Sequence, residues 1–349
     1  MLWEKLRDLP FEVGDVTMEF ESVQVAPEFE RRTTIVHLRP EAGARAEYGD
    51  GIGEDVTYDP KEHQPHTFPW IDLRGTWTLG SLSEHLDGVA FFPNGEPGQH
   101  AYLDYRRWAF ESAALDYALK HNGLNLATAL EREPEPVRFV SSNRAASLDA
   151  WLELYPDLRF KLDPTPDWTD EVVAQLAARG IVDVVDLKGQ YSGTPVDNPA
   201  DAGLYRRVAE AFSHAWIEDP ALTPETDKVL EPHRDRITWD APIHSWADVE
   251  ALSFLPKCLN CKPSRFGKLE RLLDFYERCE EHGIKLYGGG QFELNVGRGQ
   301  IQVLASLFHG DAPNDVAPGG YNAEKPRAGL ETSPLDPKLE PFGFRRALG

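Results

Sequence analysis

The chain has 349 residues, 41% hydrophobic and 27% charged, which is enough apolar material for a large barrel plus a smaller domain and too much for a disordered chain. Its 36 Lys and Arg stand against 58 Asp and Glu, a formal charge of −22 spread along the whole length; such a surface repels phosphate backbones and anionic lipid, so neither nucleic acid nor a membrane is an expected partner. Three Cys, the charged start Met1-Leu-Trp-Glu-Lys-Leu-Arg-Asp and the lack of any run of about 20 apolar residues predict a reducing, cytoplasmic setting.

The first hundred residues read as short β runs: Phe11 to Phe20, Ser22 to Ala26 and Thr33 to Leu38. Between them Pro27-Glu-Phe-Glu-Arg-Arg reads as a mobile polar connection, and Gly49-Asp-Gly-Ile-Gly-Glu as a turn cluster. Apolar residues at helical spacing from Trp108 to Leu119, closed by Gly123, predict a helix over Tyr105 to His121. Together these give an α+β domain.

After Pro136 the rhythm changes to strand, helix, strand, helix. The predicted strands start at Val137, Leu158, Val182, Ala215, Ile237, Cys258 and Ile284, with an eighth near Asp315-Val-Ala. The predicted helices are Leu148 to Leu154, Asp170 to Ala178, Ala202 to Phe212, Trp246 to Ser253 and Lys268 to His282. So many βαβ units in a row fit a closed (β/α) barrel better than an open doubly wound sheet, and no Gly-x-Gly-x-x-Gly opens a helix after the first strand. The stretch from Pro318 onward is rich in Pro and Gly and is expected to run over the surface.

Charge falls at the strand ends. Lys161, Asp186, Glu218, Asp240 and Lys262 lie at or near the C-terminal ends of five consecutive strands, 22 to 32 positions apart, and Glu293 follows a sixth. A parallel barrel brings all these ends to one face. Asp186, Glu218 and Asp240 would form a hard oxygen site suited to Mg²⁺, with Mn²⁺ as the alternative. A single strand-end acid is more often merely solvated, but three in adjacent units would repel one another without a cation. Lys161 and Lys262 flank them from opposite sides, and a lysine beside a divalent ion is pushed toward a useful general base.

These motifs, in this order, resemble the enolase superfamily and its muconate cycloisomerase-like branch, which includes o-succinylbenzoate synthases and dipeptide epimerases. Arg159-Phe-Lys161 is similar to the second-strand Lys-x-Lys motif; Val185-Asp186-Leu, Trp216-Ile-Glu218-Asp-Pro and Thr238-Trp-Asp240 are similar to the metal-ligand strands. Cys261-Lys262-Pro-Ser-Arg-Phe-Gly resembles the sixth-strand lysine motif, and Gly289-Gly290-Gln-Phe-Glu293 the seventh-strand motif beside the substrate carboxylate. Gly51-Ile-Gly-Glu54 and the segment from Trp108 to Asp116 resemble the capping domain. The resemblance implies a modified TIM barrel at 134–320, an N-terminal α+β cap at 1–133 and a tail at 321–349 packing back on the cap. It also implies Lys161 and Lys262 as acid–base lysines, and a lyase or isomerase acting on a small-molecule carboxylate. Arg159, Lys188, Ala241 and Lys268 depart from the pattern, and a non-catalytic, ligand-binding relative is the alternative they raise.

Around this centre Gly290, Glu293, Asn260 and Trp168 are candidates for substrate contact, with Arg159, Asp163, Lys188 and Asp219 behind them. The segment from Ala26 to Arg31 would close over the substrate. Cys258-x-x-Cys261 with Cys279-x-x-His282 has zinc spacing, but strand alternation puts Cys258 and Cys261 on opposite faces, so all three Cys are read as packing residues. The sequence leaves homo-oligomerisation open.

Overall fold

The computed structural model describes residues 1–26, 29–41, 49–65, 71–194, 196–323 and 325–347. The first domain contains α1 (Leu2–Leu6), β1 (Pro10–Val13), β2 (Asp15–Ala26), β3 (Phe29–Arg39), β4 (Gly51–Asp55), β5 (Gly75–Thr78), α2 (Leu79–Leu86), α3 (Ala101–His121) and α4 (Leu126–Leu130). Strands β2, β3 and β4 form an antiparallel sheet that lies on α3.

Two expectations change here. Most of the predicted polar connection is strand, since β3 begins at Phe29 and pairs back on β2. The glycines read as a turn instead let β4 lie directly on the helix. A Cβ on Gly53 would sit 2.0 Å from the Ala109 carbonyl oxygen, and one on Gly51 would sit 2.2 Å from Tyr117 Cβ.

The second domain is a parallel (β/α) barrel of the TIM type. Its strands are β6 (Val140–Ser142), β7 (Arg159–Leu162), β8 (Val182–Asp186), β9 (Trp216–Glu218), β10 (Ile237–Thr238), β11 (Cys258–Cys261) and β12 (Lys285–Gly288). Strands β6 to β10 pair in sequence, and β11 pairs with β12. The Asn260 N–H donates to the Trp239 carbonyl at 3.0 Å across the gap between β10 and β11. The expected eighth strand shrinks to two parallel bridges, Phe139 with Asn314 and Gly289 with Asp315. The Asn314 side chain makes up the shortfall, accepting from Gly288 N–H at 2.6 Å and donating to the Arg138 carbonyl at 3.0 Å. The first barrel strand lies three residues later than predicted, because Val137 bridges to Leu335 of the C-terminal segment instead.

Helices α5 (Leu148–Leu154), α6 (Asp170–Ala178), α7 (Ala202–Ala211), α8 (Pro224–Leu230), α9 (Trp246–Glu250), α10 (Leu269–Glu281) and α11 (Val296–Phe308) surround the strands. Thr169, Asp201 and Thr223 cap α6, α7 and α8 with side-chain oxygens, which fixes where each helix begins. No helix among the described residues is long and apolar enough to cross a membrane. Cys258 packs inside the barrel with Val184 and Tyr287, whereas Cys261 and Cys279 join the outer core against the helices.

Candidate active site

Alternation along a strand buries one face, and the last residue of each strand opens on the barrel mouth. Lys161, Asp186 and Glu218 end up buried side by side there, because Asp186 and Glu218 are paired across β8 and β9. The Lys161 ammonium donates to Glu218 and lies 3.1 Å from Asp186 and 3.8 Å from Asp315. Tyr287 O–H and Asn260 Nδ2 donate to the other Glu218 oxygen.

On the far side the Lys262 ammonium lies 2.8 Å from Asp240. Asp240 is further held by Arg265 and by Tyr191 O–H at 3.1 Å. Asp219 carries a positive φ of 48°, which turns its carboxylate back into the site to accept from the backbone N–H groups of Asp240 and Ala241 at 2.8 and 2.9 Å.

The tight carboxylate group is therefore Asp186, Glu218 and Asp219, with one oxygen from each within 4.8 Å of the others. This differs from the expected triplet: Asp240 is drawn toward Lys262 and Arg265, and Asp219 stands nearer. Asp219 was legible only as a supporting residue, because simple alternation turns the neighbour of Glu218 to the opposite face. Arg265, Tyr191 and Tyr287 were not anticipated. Arg265 is brought in by the short turn Pro263–Arg265 after Lys262, and Tyr191 by the long segment between β8 and α7.

The other candidates divide. Asn260 is in the site, and its Oδ1 is buried without a hydrogen-bond partner. Lys188 reaches Asp186 at 2.5 Å and Asp163 at 3.8 Å. The Gly289 backbone lies so close to Asn260 and Lys262 that a Cβ there would meet both at 2.8 Å. Gly290 is equally confined by Glu293, 2.4 Å from where its Cβ would be. Glu293 accepts from Gln291 N–H at 2.6 Å and pairs with Arg298 at 3.0 Å, so its bonds stay within its own loop and helix. Trp168 packs in the hydrophobic core, and its carbonyl accepts from Arg207 of α7. Arg159 is held by Asp183 and the Gly180 carbonyl, at the opposite end of β7 from the cluster.

Burial, together with the charges of Asp240 and Asp186, pushes Asp219 up to about 7. Burial also drives Glu218 far above the usual carboxylate range, despite Lys161. Burial opposes the ionised form of Asp186, but Lys188 and Lys161 hold its carboxyl well below the ordinary value. Burial disfavours the Lys161 ammonium, yet Glu218, Asp186 and Asp315 outweigh it and keep it protonated far above its usual pKa. An amine so held cannot take a proton until another cation neutralises its carboxylates.

The charges give a test of whether a metal fits. Fully ionised, Asp163, Asp186, Glu218, Asp219, Asp240 and Asp315 would exceed Lys161, Lys188, Lys262 and Arg265 by two negative charges, and the raised Glu218 and Asp219 mark where that charge lacks a partner. An all-oxygen donor set, a divalent charge deficit and the orphaned Asn260 oxygen fit a hard divalent cation.

Two buried cap side chains tie the cap to the segment after β12. Arg31 of β3 spends all five donors on backbone carbonyls: Phe292, Arg32, Thr57, Val56 and Gln291, at 2.6 to 3.1 Å. Glu54 of β4 accepts from the N–H groups of Leu294, Asn295 and Gly297 at the start of α11. Burial first, then the charge of Glu293, pushes Glu54 up to about 7 from 4.5, against the pull of those N–H groups. The folded state then holds a proton here that the unfolded chain has lost, so stability should fall as pH rises from about 4.5 to about 7. This group's share of that loss is about 3 kcal/mol. Urea unfolding midpoints across this range should fall less steeply for Glu293→Gln than for the wild type; equal slopes would refute the coupling.

Known proteins agree with this architecture. The family model described as the C-terminal domain of a domain of unknown function (DUF8230) matches residues 133–323, and the model of its N-terminal domain matches 4–129. An o-succinylbenzoate synthase of Bacillus subtilis (strain 168) is 28% identical over 224 residues, 59% of this chain; the match spans only 57% of that relative's length. One from Geobacillus kaustophilus is 24% identical over 298 residues, 79% of this chain and 76% of that protein. The dipeptide epimerase from Methylococcus capsulatus, solved in complex with Mg ion, superposes with a TM-score of 0.62 at 18% identity, covering 90% of this chain and 92% of that one. The chain therefore belongs to the DUF8230 family, within the enolase superfamily of capped TIM barrels.

Proposed function

We propose that this protein is a divalent-metal-dependent lyase or isomerase that removes the proton beside the carboxylate of a small molecule. The observation that carries the reading is the pairing of Lys161 with Glu218 and Asp186 on one side and of Lys262 with Asp240 on the other. Two amines flank one carboxylate cluster, so a substrate lying over it meets a proton acceptor or donor on either side. Asp186, Glu218 and Asp219, with Asp240 beside them, would hold Mg²⁺ or Mn²⁺, whose charge offsets the negative charge that builds on the substrate carboxylate.

In the proposed reaction one lysine takes the α-proton onto Nζ, and the C–H electron pair moves into the carboxylate to give an enediolate. Return of a proton from the opposite lysine racemises or epimerises the centre. Loss of a β-hydroxyl, protonated by the same lysine, gives syn-elimination of the o-succinylbenzoate synthase kind. The roof formed by β2, β3 and the loop after β12, pinned by Arg31, would select the substrate.

A second reading, a ligand-binding relative without catalysis, draws on Lys188, whose ammonium already sits on Asp186. Incubation in D₂O with Mg²⁺ and a panel of N-acyl amino acids, dipeptides and acid sugars separates the two. Catalysis predicts deuterium at the α-carbon by NMR and its loss in Lys262→Ala. Binding without exchange across the panel would favour the second reading, and exchange that survives loss of both lysines would overturn the mechanism.

A further inference from the structure

Lys188 is placed in an unusual way. It follows Asp186 by two residues with φ at 54°, the left-handed region that side-chain-bearing residues rarely adopt. That turn folds the residue back over the end of β8. Its backbone N–H donates to Asp186 Oδ1 at 3.1 Å, while its own ammonium reaches Asp186 Oδ2 at 2.5 Å. One residue thus occupies both oxygens of an acid in the metal-fitting cluster. The strained backbone is held by neighbours: the Lys188 carbonyl accepts from Asn198 N–H, and the ammonium lies 5.3 Å from the Tyr191 ring centre.

Asp186 Oδ2 already faces two ammonium groups, Lys188 at 2.5 Å and the more deeply buried Lys161 at 3.1 Å, so a divalent ion bound there adds a third like charge and favours release of the more exposed Lys188. A second acceptor is already within reach, because Asp163 Oδ1 is 3.8 Å from Lys188 Nζ. Asp163 is half exposed at the rim, on the segment just after β7.

We propose that Lys188 is a built-in counter-cation: it covers Asp186 in the metal-free protein and yields that oxygen to a divalent ion by moving its ammonium to Asp163. The inference rests on the metal reading above and adds the statement that the ion must displace a resident charge. Lys188 lowers the repulsion among the carboxylates when the metal is absent. The same contact weakens the metal's hold, so metal exchange is readier than the buried acids alone would allow.

The test is titration of Mn²⁺ into metal-free protein, read by loss of the free-ion electron paramagnetic resonance signal. Lys188→Met should bind Mn²⁺ at least tenfold more tightly than wild type. Asp163→Asn should bind it more weakly, and that penalty should shrink at least threefold in the Lys188→Met background. Wild-type affinity in Lys188→Met, or an equal Asp163→Asn penalty in both backgrounds, would overturn the proposal while leaving the metal site intact. If Lys188→Met does not fold without metal, Mn²⁺ should restore its thermal transition; failure of Mn²⁺ to do so counts against the proposal. Absence of Mn²⁺ binding by wild type and every variant would overturn both this inference and the metal reading.

Discussion

Replacing Lys161 by alanine will remove two things at once, and the two can be measured apart. Exchange of the α-proton should fall by about a thousandfold or more, the scale of a lost general acid–base group. Metal-free stability should also fall by about 3–5 kcal/mol, because Glu218 and Asp186 lose the buried cation that faces them both. Mg²⁺ should restore most of that stability but none of the exchange. Lys161→Arg separates the roles from the other direction: it keeps a positive charge near Glu218 but cannot give up its proton at working pH. It should therefore retain more metal-free stability than Lys161→Ala while remaining inactive. Chemical unfolding with and without Mg²⁺, beside NMR exchange rates, reads all these outcomes. Full exchange activity in Lys161→Arg would exclude Lys161 as the base.

Arg31→Met should be the most damaging change outside the catalytic cluster. The substitution keeps much of the buried volume but deletes five donors that meet carbonyls in both domains. Carbonyls left buried and unpaired each carry a penalty of about 1–3 kcal/mol, partly relieved by relaxation and water, so a total loss of about 4 kcal/mol is expected. Its second effect falls on the substrate side. Phe292, whose carbonyl Arg31 holds, has a φ of 60° and lies two residues after Gly290. Without Arg31 that backbone should relax, raising KM more than it lowers kcat. A urea midpoint equal to wild type would show that the latch carries no energy.

What could be read from the sequence follows from which signals are local. Lys161, Asp186 and Glu218 were legible because each stands at or next to the end of a strand, and alternation with a regular βα spacing brings strand ends together. Asp219 was legible only as a supporting residue: its place in the cluster depends on one backbone angle that reverses the direction alternation implies. Lys188 was visible as a cation two residues beyond Asp186, but its grip on both oxygens of that acid again comes from a positive φ. Gly51 and Gly53 carried the composition of a turn, and only the closeness of α3 reveals that they are there for packing. Helix α11 escaped prediction because Gly297 and Gly299 break its first turn as a helical signal. Its start is secured instead by Glu54, 243 positions earlier than Gly297. Trp168 illustrates the limit of placing a residue by its loop alone: it follows the second barrel strand, as a pocket residue would, yet faces inward to the helices.

Asp116, in the middle of α3, is fully buried. It accepts from Ile52 N–H and Lys120 in its own domain, and also from Phe344 N–H, 228 positions later, and from the Arg345 guanidinium. On a ribosome the cap is therefore synthesised first but finished late. Until residues 344 and 345 emerge, Asp116 lacks two of its partners, and the helix at the heart of the cap carries an undercompensated charge. The whole barrel must be translated before Asp116 gains these two partners. A nascent chain arrested at the end of the barrel should therefore expose its cap to protease longer than one released with residues 344 and 345 in place.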